Sequence, residues 1–180
     1  TPPELANRLL NDLPVELVPP EERHVLDPTC GSGTLLVAAH DRLRDLQPAS
    51  WTDDDRHGDL AVHLRGFDID PFASEIARLT LLLHAQPAGN GWLVEGDVDT
   101  LEQGIPSRRP HIIVSNPPWA FDGIAKRTQV ADRFLRWSMD ALAPGGLLGI
   151  LLPGSWLSSD HSKSTRREMS QHFDLFEIWN

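Results

Sequence analysis

Short runs rich in Val, Ile and Leu alternate with segments of helical period along this chain of 180 residues. No other feature constrains the fold as much, because strands separated by helices pair in parallel and bury both faces of their sheet. The sequence therefore predicts an α/β fold, with a mostly parallel sheet and helices on both faces. The predicted strands are 24–27, 62–69, 92–95, 111–115, 147–152 and 173–179, and the predicted helices include 35–46, 130–142 and 162–172.

Two further helices are predicted from the residues that precede them. Thr1 stands before Pro-Pro-Glu and is predicted to cap a helix at the amino terminus. Asp70 stands before Pro71 and is predicted to cap a helix that follows the second strand. The segment 48–58 has no periodicity and carries three consecutive aspartates, which predicts a solvated loop.

Several classes of protein are excluded by composition. No apolar run approaches the ~18 residues that a membrane span needs, and the first residues lack the basic and apolar segments of a secretory signal. Cys30 is the only cysteine in the sequence, which excludes an internal disulfide and a site built from thiolates. We therefore expect one cytoplasmic domain over residues 1–180, with no membrane partner and no metal.

The charge is distributed unevenly along the chain. The net charge is -10, yet residues 103–180 carry 9 Lys and Arg against 7 Asp and Glu, while residues 1–102 carry 7 against 19. A polyanion is therefore expected to meet the second half. Lys163, Arg166 and Arg167 are predicted to face phosphates there, with a solvated helix face as the open alternative.

The first motif that carries chemistry is Asp-Pro-Thr-Cys-Gly-Ser-Gly-Thr at residues 27–34. Gly31 and Gly33 allow a sharp turn between strand and helix, which presents backbone amides near a helix amino terminus. The motif lacks the third glycine of a dinucleotide fingerprint and the Gly-Lys-Ser/Thr of a phosphate loop, so neither ligand is favoured. An ordinary strand-to-helix turn remains an alternative at this point.

Two carboxylates follow later strands at the same predicted edge of the sheet. Asp68 ends the second predicted strand, where a carboxylate can accept hydrogen bonds from both hydroxyls of a ribose. Asp97, in Gly-Asp-Val, follows the third strand and is either a second ligand-binding carboxylate or a turn residue.

The most specific motif is Ser-Asn-Pro-Pro-Trp at residues 115–119, directly after the fourth predicted strand. Two prolines fix the backbone so that the Asn116 side-chain oxygen and a main-chain carbonyl can converge on one point. Such a site accepts two hydrogens from an exocyclic amine, and Trp119 offers a face on which a planar ring can stack. An ordinary turn would need none of this combination.

Together, and in this order, these motifs resemble those of S-adenosylmethionine-dependent N6-adenine DNA methyltransferases of the restriction-modification or phage-defence type. The resemblance covers nearly the whole chain and implies a Rossmann-like methyltransferase fold with S-adenosylhomocysteine as the cofactor product. It implies that the methionine end of the cofactor is held by Thr1, Asp27, Thr29, Cys30, Gly31 and Gly33. It further implies that Asp68 binds the ribose and that Ile69, Asp97 and Val98 surround the cofactor adenine.

For catalysis, the resemblance implies that Asn116 and the Pro117 carbonyl accept the target amine, that Pro118 keeps this loop rigid and that Trp119 stacks on the base. The implied partner is double-stranded DNA with a flipped adenine, together with a specificity or nuclease domain or subunit. Relatives continue into another strand and a target-recognition domain, so the carboxyl end is expected to be truncated.

Three alternatives to DNA adenine remain open at this stage. RNA guanine-N2 methyltransferases share the 27–34 pattern, and release-factor glutamine methyltransferases share Asn-Pro-Pro-aromatic. A scaffold that binds cofactor or DNA without turnover is the alternative from another class. Cytosine C5 methylation is disfavoured, because it proceeds through a thiolate adduct and the chain has no Pro-Cys pair.

Overall fold

The computed structural model describes residues 1–85, 91–119 and 124–174. Its sheet has five parallel strands in the order β3-β2-β1-β4-β5. In chain order they are β1 (Val25–Asp27), β2 (Leu64–Phe67), β3 (Leu93–Glu95), β4 (Ile112–Ser115) and β5 (Leu147–Ile150). The helices are α1 (Pro3–Asp12), α2 (Thr34–Asp45), α3 (Asp53–His63), α4 (Pro71–His84), α5 (Ile124–Ala141) and α6 (Lys163–His172). The predicted parallel α/β fold is confirmed.

The strand order creates a crevice at the middle of the sheet. The chain moves outward from β1 to β2 and β3 on one side, and then returns to place β4 on the other side of β1. In open parallel sheets ligands bind where the order reverses, outside the carboxyl ends of the strands. The segments that follow β1 and β4 therefore define the expected location of a site.

The sheet is covered on both faces, as predicted. Ile112 and Val114 of β4 belong to a core cluster that includes buried residues of α1, α2, α3 and α4. Ile113, between them, belongs to a second cluster with Ala141 at the end of α5. Successive strand residues point to opposite faces, so this alternation places α5 on the other side of the sheet.

The prediction of a loop over 48–58 is wrong, because α3 begins within it. Thr52 caps α3 through a reciprocal pair: its Oγ1 accepts from the Asp55 amide, and Asp55 Oδ2 accepts from the Thr52 amide, each at 3.1 Å. Aspartates in a first helical turn are also stabilised by the helix dipole. α3 takes in Val62 and His63, so β2 starts at Leu64 rather than at the predicted 62.

The amino-terminal cap is also corrected. Pro2, not Thr1, is the residue that precedes α1, and no side chain caps this helix. Pro3 opens α1 and has no amide hydrogen to satisfy, which lowers the need for a cap. Asp70 is confirmed as a cap, since its Oδ1 accepts from the Phe72 amide at 2.9 Å.

The remaining differences lie in the second half of the chain. α5 begins at Ile124, earlier than the predicted residue 130. Phe173 and Asp174 do not form a strand, and the rest of the predicted strand 173–179 lies outside the described residues. Among the described helices, none combines the length and the apolar character that a bilayer span requires.

One of the three cations predicted to face phosphates also makes a contact inside the fold. Arg166 is half-buried, donates from Nη1 to the Trp156 carbonyl oxygen at 2.6 Å, and its guanidinium lies 5.6 Å from the centre of the Trp156 ring. This contact ties α6 to the turn after β5. Lys163 and Arg167 are exposed, and for all three residues phosphate contact stays a prediction.

Candidate active site

A cavity of about 120 Å³ lies at the carboxyl ends of β1 and β4, where the strand order reverses. Most of its lining was predicted from the sequence, and it brings the first motif together with Asn116 of the third. The lining residues are Thr1, Asp27, Thr29, Cys30, Gly31, Ser32, Thr34, Leu35 and Asn116. Chain segments that are distant in sequence therefore form one recess.

The turn between β1 and α2 is held by its own hydrogen bonds. Asp27 Oδ1 accepts from the Thr29 amide at 3.0 Å, and the Cys30 amide donates to the Phe67 carbonyl oxygen at 2.8 Å, which attaches the turn to β2. Gly33 has a φ of +87°, and a Cβ at this position would lie 3.0 Å from the Ala77 Cα. Both the conformation and the close approach to α4 require glycine here.

Asp27 supplies the carboxyl group among the lining residues, and the pKa of this group is raised. It is 1% exposed, and burial raises its pKa to about 7, with a smaller contribution from the nearby Asp68 carboxylate and an opposing one from the Thr29 amide. At neutral pH this carboxyl is therefore close to half ionised. A cation entering the cavity would favour the ionised form.

Cys30 lies against β2 at the base of the cavity. Burial raises the pKa of its thiol above the ordinary range, and Asp27 and Asp68 reinforce this effect. A neutral thiol is a weak nucleophile. Cys30 therefore contributes shape and backbone to the cavity, in agreement with a predicted role in binding rather than in bond formation.

Asp68 connects the cavity to the neighbouring loops. Its Oδ2 accepts from the Gly31 amide at 2.7 Å, and its Oδ1 accepts from the Asp70 amide at 2.9 Å. Its own carbonyl oxygen accepts from the Val98 amide at 3.0 Å. Asp68 does not line the cavity, yet each carboxylate oxygen keeps a further lone pair for a ligand hydroxyl.

The three residues predicted to surround an adenine lie beyond Asp68, outside the cavity. Ile69 is 63% exposed after β2, whereas Val98 is buried with Leu26 of β1. Asp97 has a φ of +58°, a left-handed conformation that aspartate tolerates better than most residues. Ile69 and Asp97 are therefore accessible at the same edge of the sheet, while the Val98 side chain packs in the core.

Asn116 is half-buried and leaves β4 directly toward the cavity. Its Nδ2 donates to Thr1 Oγ1 at 2.9 Å, which places the acceptor atom Oδ1 on the other side of the amide. Pro117 is buried, Pro118 is exposed, and Trp119 is exposed over 42% of its surface. The segment thus combines a fixed amide with an accessible aromatic ring.

Two polar contacts that were not predicted from the sequence join the turn between β1 and α2 to its neighbours. Thr29 Oγ1 and Ser115 Oγ are 2.9 Å apart, and Ser115 is fully buried at the end of β4. Thr100 is also buried, and its hydroxyl donates to the Pro28 carbonyl oxygen at 2.5 Å. A hydroxyl at the last position of an apolar strand was the available signal for Ser115, since a buried polar side chain needs a partner.

Three known proteins are similar to this chain over most of its length. The type II methyltransferase M.BanIII of Aneurinibacillus aneurinilyticus is 26% identical over 205 residues, which cover 97% of this chain and 32% of the relative. The crystal structure of the type I restriction enzyme EcoKI M protein aligns with a TM-score of 0.68 at 22% identity, over 94% of this chain and 37% of that one. A third protein is a nuclease-deletion mutant of the type ISP restriction-modification enzyme LlaGI, in complex with a DNA substrate mimic. It aligns with a TM-score of 0.77 at 16% identity, over 97% of this chain and 22% of that one.

The two solved structures establish a shared fold, and the chain spans between 22% and 37% of the length of the three proteins. A family model described as N-6 DNA Methylase matches residues 1–167. The matched range contains the turn between β1 and α2, Asp68 and the Asn-Pro-Pro-Trp segment. The family resemblance noted in the sequence is thereby confirmed, and this chain belongs to the N-6 DNA methylase family.

Proposed function

We propose that this chain is the catalytic domain of an enzyme that transfers a methyl group from S-adenosylmethionine to the N6 amine of adenine in DNA. The observation that carries the proposal is the single cavity that unites the Asp27 turn with Asn116. A carboxyl group that can bind a cationic ligand and an amide that can accept from a substrate amine thus line the same cavity.

The donor set of the cavity fits the amino-acid end of S-adenosylmethionine. Asp27 would hold the ammonium group, while the Thr29 hydroxyl and the turn would surround the carboxylate end. The volume of about 120 Å³ suits this part of the cofactor rather than the whole molecule. Asp68 would accept the ribose hydroxyls with its remaining lone pairs, and Ile69 and Asp97 would flank the adenine. When bound, the cofactor supplies an electrophilic methyl group.

The residues after β4 would prepare the target amine. The lone pair of an adenine amine is delocalised into its ring, so hydrogen bonds from the amine to Asn116 Oδ1 and to the Pro117 carbonyl would localise it on nitrogen. The contact between Asn116 Nδ2 and Thr1 Oγ1 supports this role, because it fixes the amide through its nitrogen and leaves Oδ1 as the atom that can accept from an amine. Positioning and local electrostatics then suffice for direct transfer.

Trp119 would receive the base. A base in a duplex must leave the stack to reach a pocket, and an exposed indole provides a stacking surface for it. The exposure of Trp119 over 42% of its surface supports this part of the proposal.

Double-stranded DNA is the proposed partner, with sequence recognition and any nuclease supplied by other domains or subunits. The relatives support this division: one is a type I restriction enzyme M protein, and another is a nuclease-deletion mutant of a restriction-modification enzyme in complex with a DNA substrate mimic. The chain spans 32% of M.BanIII, which leaves room in such proteins for further domains.

The test is mass spectrometry of digested DNA, RNA and protein after incubation of the full-length enzyme with S-adenosylmethionine. We expect N6-methyladenine in DNA, lost in Asn116→Ala and retained in Asp140→Asn, a matched exposed substitution on α5. Methylation of RNA guanine or of a glutamine side chain instead would overturn the substrate. Cofactor binding without transfer to any of the three would favour a scaffold.

A further inference from the structure

The second halves of α2 and α4 bring two histidines and an aspartate together. The ligand-type atoms of His40, Asp41 and His84 all lie within 4.8 Å of one another. His40 Nδ1 is 3.0 Å and His84 Nε2 is 2.6 Å from the same atom, Asp41 Oδ1. Helices that connect parallel strands run back toward the strand amino ends, so this cluster lies away from the edge that holds the cavity.

The cluster is held rigidly on its inner side. His40 is 2% exposed, and its ring meets Trp92 edge-to-face, with 5.6 Å between the ring centres. His84 and Asp41 are 37% and 48% exposed, which leaves the outer side open to solvent. A buried anchor with an open outer face can accept an ion without rearrangement of the core.

We propose that His40, Asp41 and His84 form a binding site for a divalent transition metal ion of the zinc class. Two imidazoles and one carboxylate are a donor set that such ions prefer and that Mg²⁺ does not. Solvent would occupy the fourth position on the open side. The site is independent of the proposed methyl transfer.

The geometry requires a side-chain adjustment of about an ångström. Zinc bonds of ~2.0–2.2 Å place neighbouring ligand atoms about 3.3 Å apart in a tetrahedron. The two histidine-to-aspartate distances of 3.0 and 2.6 Å would therefore open by less than an ångström, and the two histidine nitrogens, now within 4.8 Å of one another, would close by up to ~1.5 Å. Each imidazole would turn a lone pair toward the ion and keep its proton on the other ring nitrogen.

The position of the cluster also suits a cation. The side chain of Asp41 supplies a carboxylate that is 48% exposed. His84 is the last residue of α4, where the helix dipole favours a positive charge nearby.

The prediction of no metal rested on the single cysteine and took no account of imidazole ligands. His40 and Asp41 are adjacent in sequence, but His84 is 43 positions away from Asp41. Only the packing of α2 against α4 brings them together.

The experiment is a Zn²⁺ titration of the full-length protein without a histidine tag, in competition with a chromophoric chelator. We expect one saturable site per chain, at least ten times weaker in His84→Gln and in Asp41→Asn. The matched controls His172→Gln on α6 and Asp45→Asn on α2 should bind as the parent does. Mg²⁺ in excess should not compete.

A second readout separates a built site from adventitious binding. Zn²⁺ should raise the melting temperature of the parent and of both controls but not of His84→Gln, because only a ligand of the folded state stabilises it. His40 is left unchanged, since its burial makes unfolding a risk. Absence of saturable binding in the parent, or equal binding in His84→Gln and the parent, overturns the proposal.

Discussion

Cofactor binding should release protons through Asp27. The pKa of this carboxyl is about 7 in the free protein, while a cationic ligand selects the carboxylate. If only the ionised form binds, the apparent dissociation constant is inversely proportional to the ionised fraction of Asp27. It should therefore fall about eightfold between pH 6 and pH 7.5. At pH 7 about half a proton should leave per cofactor bound.

The assay is titration calorimetry with S-adenosylhomocysteine, run at several pH values and in two buffers of different ionisation enthalpy. The proton count comes from the difference in apparent heat between the buffers. The exposed Asp140→Asn serves as a control and should keep the parent profile. A flat affinity between pH 6 and pH 7.5, with no buffer-dependent heat, would refute the assignment of Asp27 to the cation.

The same carboxyl predicts how the free protein responds to pH. Its folded pKa lies above the ordinary value of 3.8, so the folded state binds the proton more tightly than the unfolded state does. Its contribution to stability is therefore fully present below pH 4 and is lost as the pH rises through 7, at up to ~1.4 kcal/mol per pH unit. Asp27→Asn should remove this slope from the free energy of unfolding measured in urea.

Four further substitutions test the site and its frame. Asn116→Ala in the full-length enzyme should slow single-turnover methylation by at least ~100-fold and leave cofactor affinity near the parent value. A loss of cofactor affinity as large as the loss of rate would contradict the assignment of Asn116 to the target amine. Trp119→Ala should weaken capture of the target base by about 1–3 kcal/mol while Trp119→Phe retains much of the activity, as measured by the KM for DNA. Asp68→Ala should cost about 1–3 kcal/mol in cofactor binding by calorimetry, and parent-like binding would exclude it as the ribose ligand. Gly33→Ala should destabilise the fold by about 1–3 kcal/mol in urea, because it combines a left-handed φ with a contact of 3.0 Å to Ala77.

The parallel sheet and the turn between β1 and α2 could be predicted from the sequence because both depend on local patterns. Apolar runs mark β1 and β4, and a glycine pair marks the turn between β1 and α2. α3 was missed because its aspartates resemble a solvated charge run, whereas they stand in the first turn of a helix that Thr52 caps together with Asp55. Thr1 was misread as a cap because the pattern that precedes α1 does not reveal where its hydroxyl points.

The contacts of the site that were not predicted join residues that are close in space but far apart in sequence. The pairing of Thr29 with Ser115 and of Thr1 with Asn116 links residues 86 and 115 positions apart. Asp68 was predicted as the ribose ligand, and its hydrogen bond from the Gly31 amide, 37 positions earlier, was not predicted. No local signal encodes such contacts, since they follow from the order in which the strands enter the sheet.

The wide sequence separation inside the cavity has a consequence for synthesis on the ribosome. Chains emerge at roughly 5–20 residues per second, so the segment that contains Asn116 leaves the tunnel many seconds after Thr1 and Asp27. Until then β1 lacks β4 as its neighbour, and the Asn116 contact that spans 115 positions cannot form. A nascent chain therefore lacks a complete cavity until β4 has left the ribosome and paired with β1.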